Sequence, residues 1–238
     1  MTVKIPKKIG HRGAAGHAPE NTLAGIRKAA DLGACWVEFD VMLSQDGIPI
    51  LMHDNTLNRT TNGKGPISAQ TLNVLRTLDA GSWFNERFAG EPIPTLAETL
   101  RLAEMLGLGC NVEIKPSPET SEETAKAVIE VVNSFQRPFS IIMSSFSETV
   151  IEMLHTYLFD TPRGLLVNKI PEDWRSKLQK WDCFSLHCNH KHLSQEQAKT
   201  IKSANYHLLC YTVNEPESAA SLFNWGVDAI FSDYPDRV

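Results

Sequence analysis

Short apolar runs and amphipathic helical patterns alternate along almost the whole chain, and this alternation restricts the fold more than any single motif. Runs with strand character stand at 8–13, 35–43, 48–53, 110–115, 139–146, 164–167, 183–189, 207–213 and 228–232. Between most of them lie helical patterns opened by capping residues: Asn21 ahead of Leu23 and Ile26, Thr95 with Glu98, Ser121, Ser147, Ser194 with Gln197, and Asn214 with Glu217. Gly33, Gly107 and Gly226 follow the last periodic residue of three of these patterns, where a left-handed residue ends a helix. Such alternation predicts a parallel sheet, and the number of units selects an α/β fold of the (β/α)8 TIM-barrel type over an open doubly wound sheet.

One strand is surplus. Only Ser44, Gln45, Asp46 and Gly47 separate the second run from the third, too few for a parallel crossover but suited to a tight antiparallel turn at Asp46-Gly47. The run at 48–53 is therefore read as a hairpin arm after strand two, leaving eight barrel strands. From about 54 to 94 the pattern lapses into a polar stretch with one short helical patch at 71–78 and the aromatics Trp83, Phe84 and Phe88. A segment this long inside a compact domain is usually a functional cap. The expectation is one domain, 1–238, with a capping insert at about 54–94. No run after the eighth strand is long enough for the usual last helix.

With 238 residues, 42% of them hydrophobic, the chain can bury a substantial core. Its net charge is -5 and its Lys and Arg are scattered, so neither nucleic acid nor an anionic membrane is an expected partner. Five cysteines, an odd number with no CxxC pair, read as buried, reduced thiols. The first ten residues carry no apolar stretch, and nothing approaches a membrane span, so the expected location is cytoplasmic.

In a barrel of this type the active site lies at the C-terminal ends of the strands. Charged residues are concentrated there: His11 and Arg12 after strand one, Glu38 and Asp40 in strand two, Glu113 and Lys115 at the end of strand three. A period of two puts Glu38 with Asp40, and Glu113 with Lys115, on faces that can point into the mouth. Arg12 would face away from His11 in a regular strand and needs a twist into the Gly13 loop.

Three carboxylates at one mouth repel by about 4 kcal/mol per close pair at an effective dielectric near 20. Arg12 and Lys115 offer partial neutralisation. An all-oxygen cluster also suits one hard divalent cation, Mg²⁺ or Ca²⁺. The alternative is a buried salt-bridge network without metal. His53 ends the hairpin arm and can face His11 across this cluster, and two near-neutral imidazoles can serve as general base and general acid in one turnover.

Other residues are ambiguous. Asn21 reads first as a helix cap, while Glu20 could hold Arg12 in orientation. His187 reads as pocket lining, and His190 and His192 as surface loop, since imidazoles without a carboxylate partner are a weak zinc signal. Trp83 could wall the pocket or hold the insert's core together. Trp225 reads as core packing.

The motifs HRG at 11–13, APENT at 18–22, EFDV at 38–41, LMHD at 51–54, NVEIKP at 111–116, SSF at 144–146, YTVN at 211–214 and SDYPD at 232–236 together resemble the glycerophosphodiester phosphodiesterase family. The likeness runs from about 9 to 237 and is nearest to its short cytoplasmic bacterial members, which also show segments like NRTTNGKG at 58–65, DAGSWF at 79–84 and LHCNHK at 186–191. The resemblance implies hydrolysis of glycerophosphodiesters, the deacylated phospholipids, to sn-glycerol 3-phosphate and an alcohol. It assigns acid-base roles to His11 and His53, with His11 the first base, metal ligation to Glu38, Asp40 and Glu113, and phosphate contacts to Arg12 and Lys115. Two alternatives remain beside it: a metal-independent, phospholipase C-like phosphodiesterase, and a non-catalytic barrel that binds phosphorylated ligands.

Overall fold

The computed structural model describes residues 3–135 and 140–238. Eight parallel strands close into a ring: β1 (Lys8–Gly10), β2 (Trp36–Leu43), β4 (Gly109–Ile114), β5 (Ile141–Ser145), β6 (Arg163–Val167), β7 (Ser185–Asn189), β8 (His207–Tyr211) and β9 (Ala229–Ser232), with β9 and β2 both pairing to β1. The remaining strand, β3 (Pro49–Leu51), pairs antiparallel to the end of β2 through Val41 with Leu51 and Leu43 with Pro49. It stands outside the ring, as the short Ser44–Gly47 connection requires. The first residue of the run expected at 139–146, Phe139, lies outside the described residues.

Helices α1 (Leu23–Asp31), α3 (Leu96–Leu106), α4 (Ser121–Asn133), α5 (Glu148–Tyr157), α6 (Trp174–Lys180), α7 (Gln195–Ser203) and α8 (Pro216–Asn224) fill the strand-to-strand connections, while α2 (Leu72–Leu75) belongs to the insert. Capping boxes open α3 at Thr95 and Glu98 and α7 at Ser194 and Gln197. Two expected caps do something else. Thr22, not Asn21, caps α1 by accepting from the Gly25 N–H, and Asn214 turns its side chain to the β9 end while α8 starts at Pro216. Helix α6 is short, and its N-cap residue, Asp173, makes no side-chain cap bond. After β9 only a turn follows, with no helix among the described residues.

One large apolar core lies between the ring and its helices and includes Val37, Val112, Met143, Leu186 and Leu208. A second cluster inside the ring contains Ile9, Trp36, Ile142, Leu209, Ala229 and Phe231. Gly109 is required there, because a Cβ at that position would stand 2.2 Å from the Trp36 ring. The insert has its own small core, with Leu57, Ile67, Leu75, Ala80 and Ile93 against Met42, Ile50 and Met52 of the hairpin. It is fastened to the barrel by Glu91, whose carboxylate accepts the free Ala24 N–H at the start of α1 at 2.9 Å. Four of the five cysteines are buried thiols, but Cys35 is exposed, since it precedes the barrel interior by one residue. No helix among the described residues is long and apolar enough to cross a membrane.

Candidate active site

The strand ends deliver the expected side chains to one cavity of about 250 Å³, lined by His11, Arg12, Glu38, Asp40, His53, Glu113 and Lys115 among others. The β2–β4 register explains the carboxylates: Asp40 sits beside Glu113 and Glu38 beside Asn111, all on the inner face. Arg12 reaches the cavity because the backbone turns left-handed, with φ of 49° at Arg12 and 87° at Gly13. Only glycine fits the second position, where a Cβ would lie 2.5 Å from the backbone of Gly25. The Arg12 N–H in this turn donates to Glu38 Oε2 at 2.9 Å.

Oxygen atoms of Glu38, Asp40 and Glu113 lie within 4.8 Å of one another, and all three residues are buried. Burial pushes Glu38 well above the ordinary carboxylate range, and the charges of Asp40 and Glu113 push it further. Burial and Asp40 likewise raise Glu113, to about 8, against the pull of Lys115 and Arg12. Asp40 differs. Burial raises it, but Arg12, Lys115, His53 and the Asn21 amide together hold it below its usual value. Cations are close to Asp40, with Arg12 Nε at 3.2 Å and Lys115 Nζ at 3.6 Å, whereas Lys115 is 3.8 Å from Glu113 and neither cation pairs with Glu38. Glu38 Oε1 and Glu113 Oε1 have no hydrogen-bond partner among the described residues. A salt-bridge network is therefore incomplete, and the residue set has the oxygen chemistry and the surplus negative charge that suit a divalent cation.

His11 and His53 are each held by an aspartate. His11 Nδ1 lies 2.6 Å from Asp233 Oδ1, and Asp233 is itself fixed by Asn214, which donates to its Oδ2 at 2.7 Å and accepts its N–H at 2.9 Å. His53 Nδ1 lies 2.7 Å from Asp54 Oδ1. An aspartate accepting from Nδ1–H leaves Nε2 as the basic nitrogen of each ring. His53 is lowered from its ordinary value by burial and by the charges of Arg12 and Lys115, which outweigh Asp40 and Asp54. The rest of the cavity wall is largely apolar and aromatic, with Phe146, Leu166, Tyr211 and Phe231.

Sequence reasoning did not assign Asp233, Asn214, Asp54 or Asn111. The first two belong to motifs at strand ends and the third adjoins His53, so position alone could have marked them. Asn111 donates to Ser144 Oγ at 2.9 Å, and its buried Oδ1 has no hydrogen-bond partner among the described residues. Asn21 takes an unusual backbone, φ 55°, and bridges Asp40 by donating to Oδ2 and accepting the Asp40 N–H. His187 is not pocket lining: it is fully buried beneath Phe231, bonds Ser185, and is lowered to about 3 by burial. Trp83 is neither pocket wall nor insert core. It is 40% exposed, with its indole N–H on the Ala80 carbonyl. Trp225, by contrast, packs against the main core.

The model of the Glycerophosphoryl diester phosphodiesterase family matches residues 11–237. The chain is similar to a glycerophosphodiester phosphodiesterase of Caldanaerobacter subterraneus subsp. tengcongensis, 33% identical over 97% of this chain and 95% of that protein. A solved structure of an Oleispira antarctica phosphodiesterase, in complex with the product sn-glycerol-3-phosphate, matches with a TM-score of 0.95 at 41% identity, covering 97% of this chain and 94% of that one. The glycerophosphodiester phosphodiesterase of Agrobacterium tumefaciens matches with a TM-score of 0.77 at 27% identity over 98% of both chains. With a family match over nearly the full barrel and relatives above 30% identity along its length, the chain belongs to the glycerophosphoryl diester phosphodiesterase family and is a phosphodiester hydrolase.

Proposed function

We propose that the chain, acting as one catalytic domain over 1–238 with 54–94 as its cap, hydrolyses glycerophosphodiesters to sn-glycerol 3-phosphate and an alcohol by metal-dependent acid-base catalysis. The observation that carries this reading is the pair of aspartate-anchored imidazoles on a cavity whose three buried carboxylates are incompletely neutralised. The product held by the Oleispira antarctica relative supports the substrate class.

Glu38, Asp40 and Glu113 would hold one divalent cation, Mg²⁺ or Ca²⁺. Bound there, it would supply positive charge that stabilises phosphate oxygens and makes a nearby hydroxyl easier to deprotonate. Arg12 and Lys115 bind the phosphate and stabilise charge developing on its oxygens. His11 Nε2 takes the proton of the glycerol 2-hydroxyl as that oxygen bonds to phosphorus, and His53 gives a proton to the alcohol oxygen as its bond to phosphorus breaks. Intramolecular attack gains effective molarity over water. In the second half His53 takes a proton from water, which attacks the cyclic phosphate, and His11 returns a proton to the 2-hydroxyl oxygen. Each imidazole contributes about 10²- to 10⁴-fold.

The test is release of glycerol 3-phosphate from glycerophosphocholine with and without a chelator. The reading expects release that stops in chelator and returns with Mg²⁺ or Ca²⁺; full activity in chelator would remove the metal from it.

A further inference from the structure

Arg59 belongs to the insert, outside the barrel, and its side chain is 43% exposed. It nonetheless uses its guanidinium as a two-sided fork. Nε and Nη2 donate to Asp54 Oδ2 and Oδ1 at 2.7 and 2.9 Å, while Nη1 and Nη2 donate to Glu20 Oε2 and Oε1 at 2.7 and 2.8 Å. Neither carboxylate ends there. Asp54 Oδ1 meets His53 Nδ1 at 2.7 Å, and Glu20 Oε1 also accepts from Arg12 Nη1 at 2.7 Å. The chain of contacts His53, Asp54, Arg59, Glu20, Arg12 is unbroken, and Arg12 continues it to Asp40.

We propose that Arg59 is a positioning residue for both halves of the site: through Asp54 it fixes the imidazole of His53, and through Glu20 it fixes the guanidinium of Arg12. The inference rests on the proposed function, in which His53 protonates the leaving oxygen and Arg12 holds the phosphate. An isolated exposed ion pair would do little, because solvent screens it and the side chains pay entropy to meet. Here the planar fork is bidentate on two carboxylates, and the geometry of one fixes the geometry of the other. Lysine could keep the charge but not the two parallel pairs of bonds. Glu20 is well buried between its two arginines, so without Arg59 it would lean on Arg12 alone and pull that side chain out of register with Asp40. The insert then does more than cover the mouth, since one of its residues orients the acid and the phosphate clamp together.

The experiment compares the wild type, Arg59→Ala, Arg59→Lys and His53→Ala on two glycerol phosphodiesters. One has a choline leaving group, whose oxygen needs a proton to depart; the other has 4-nitrophenol, which leaves as the anion. Arg59→Ala is expected to lose about 10- to 100-fold in kcat on the choline diester, the range typical of partners that orient a functional side chain, and several-fold less on the nitrophenyl diester. KM should rise on both, because Arg12 is loosened. Arg59→Lys should resemble Arg59→Ala, and millimolar guanidinium should restore part of the choline activity of Arg59→Ala through the exposed site. Equal losses on both substrates, with no rescue and a melting temperature lowered in proportion, would show that Arg59 only fastens the insert and would overturn the proposal. Failure of the underlying reading looks different: the wild type would hydrolyse neither diester, or His53→Ala would lose equally on both, and the proposal would fall with it.

Discussion

Nδ1 of His11, the first residue after β1, is held at 2.6 Å by Asp233, a residue 222 positions away that follows the last strand. The contact exists because β9 closes the ring onto β1 in register, with Gly10 opposite Ser232. Asp233→Asn keeps the shape but offers His11 an amide, so the imidazole loses its anchor and its preferred tautomer. Activity should fall by on the order of 10²-fold or more, with little change in melting temperature. Steady-state kinetics and thermal melts on the same sample check this.

Metal binding should depend on charge at Glu113. Glu113→Gln removes one of three carboxylates and is expected to weaken Mg²⁺ or Ca²⁺ binding and lower turnover together while the fold survives. Calorimetric titration of the chelator-treated protein, with circular dichroism as the fold control, measures both.

Stability without metal should fall as pH rises between about 5 and 8. Glu113 is raised in the folded chain from an ordinary 4.5 to about 8, and Glu38 is raised as well. In that window the native state therefore holds more protons than the unfolded one, so each step up in pH favours unfolding. Saturating Mg²⁺ or Ca²⁺ favours the ionised carboxylates and should flatten the slope, and Glu113→Gln should reduce it. Thermal melts in chelator and in metal across this range give the result.

The Gly109 site tests the barrel interior independently of catalysis. Gly109→Ala forces a methyl group against the Trp36 ring at 2.2 Å. It should cost about 1–3 kcal/mol of stability, or about 2–4 °C of melting temperature per kcal/mol at this size. Gly33→Ala is a useful comparison, because its Cβ would meet nothing within 4 Å and only its positive φ is strained.

The route of phosphoryl transfer is open to direct test. A glycerophosphodiester lacking the 2-hydroxyl should turn over far more slowly than the natural substrate, and single-turnover mixtures of the natural substrate should contain a cyclic phosphate. Comparable rates and no cyclic product would instead assign the attack to water.

The order of elements, the identity of the outlying hairpin and the carboxylate cluster were legible in the sequence because each depends on local properties. Strand period fixes which side chains share a face, a four-residue link excludes a parallel crossover, and capping residues announce helix starts. Even the left turn at Arg12 could be anticipated from Gly13. Some of the differences are cases in which a polar side chain has a local use and a distant one. Asn21 and Asn214 stand where helix caps belong, yet a buried Asp40 and an Asp233 beside His11 recruit them, since an unsatisfied buried carboxylate costs more than an alternative cap. Glu20 can be read from the sequence as a support for Arg12, but that Arg59, 39 residues away, also reaches it depends on where the fold sets the insert. Closure of the ring and docking of the insert decided those pairings, because which charges meet across a barrel mouth depends on strand register and chain return, and neither is encoded within any one segment.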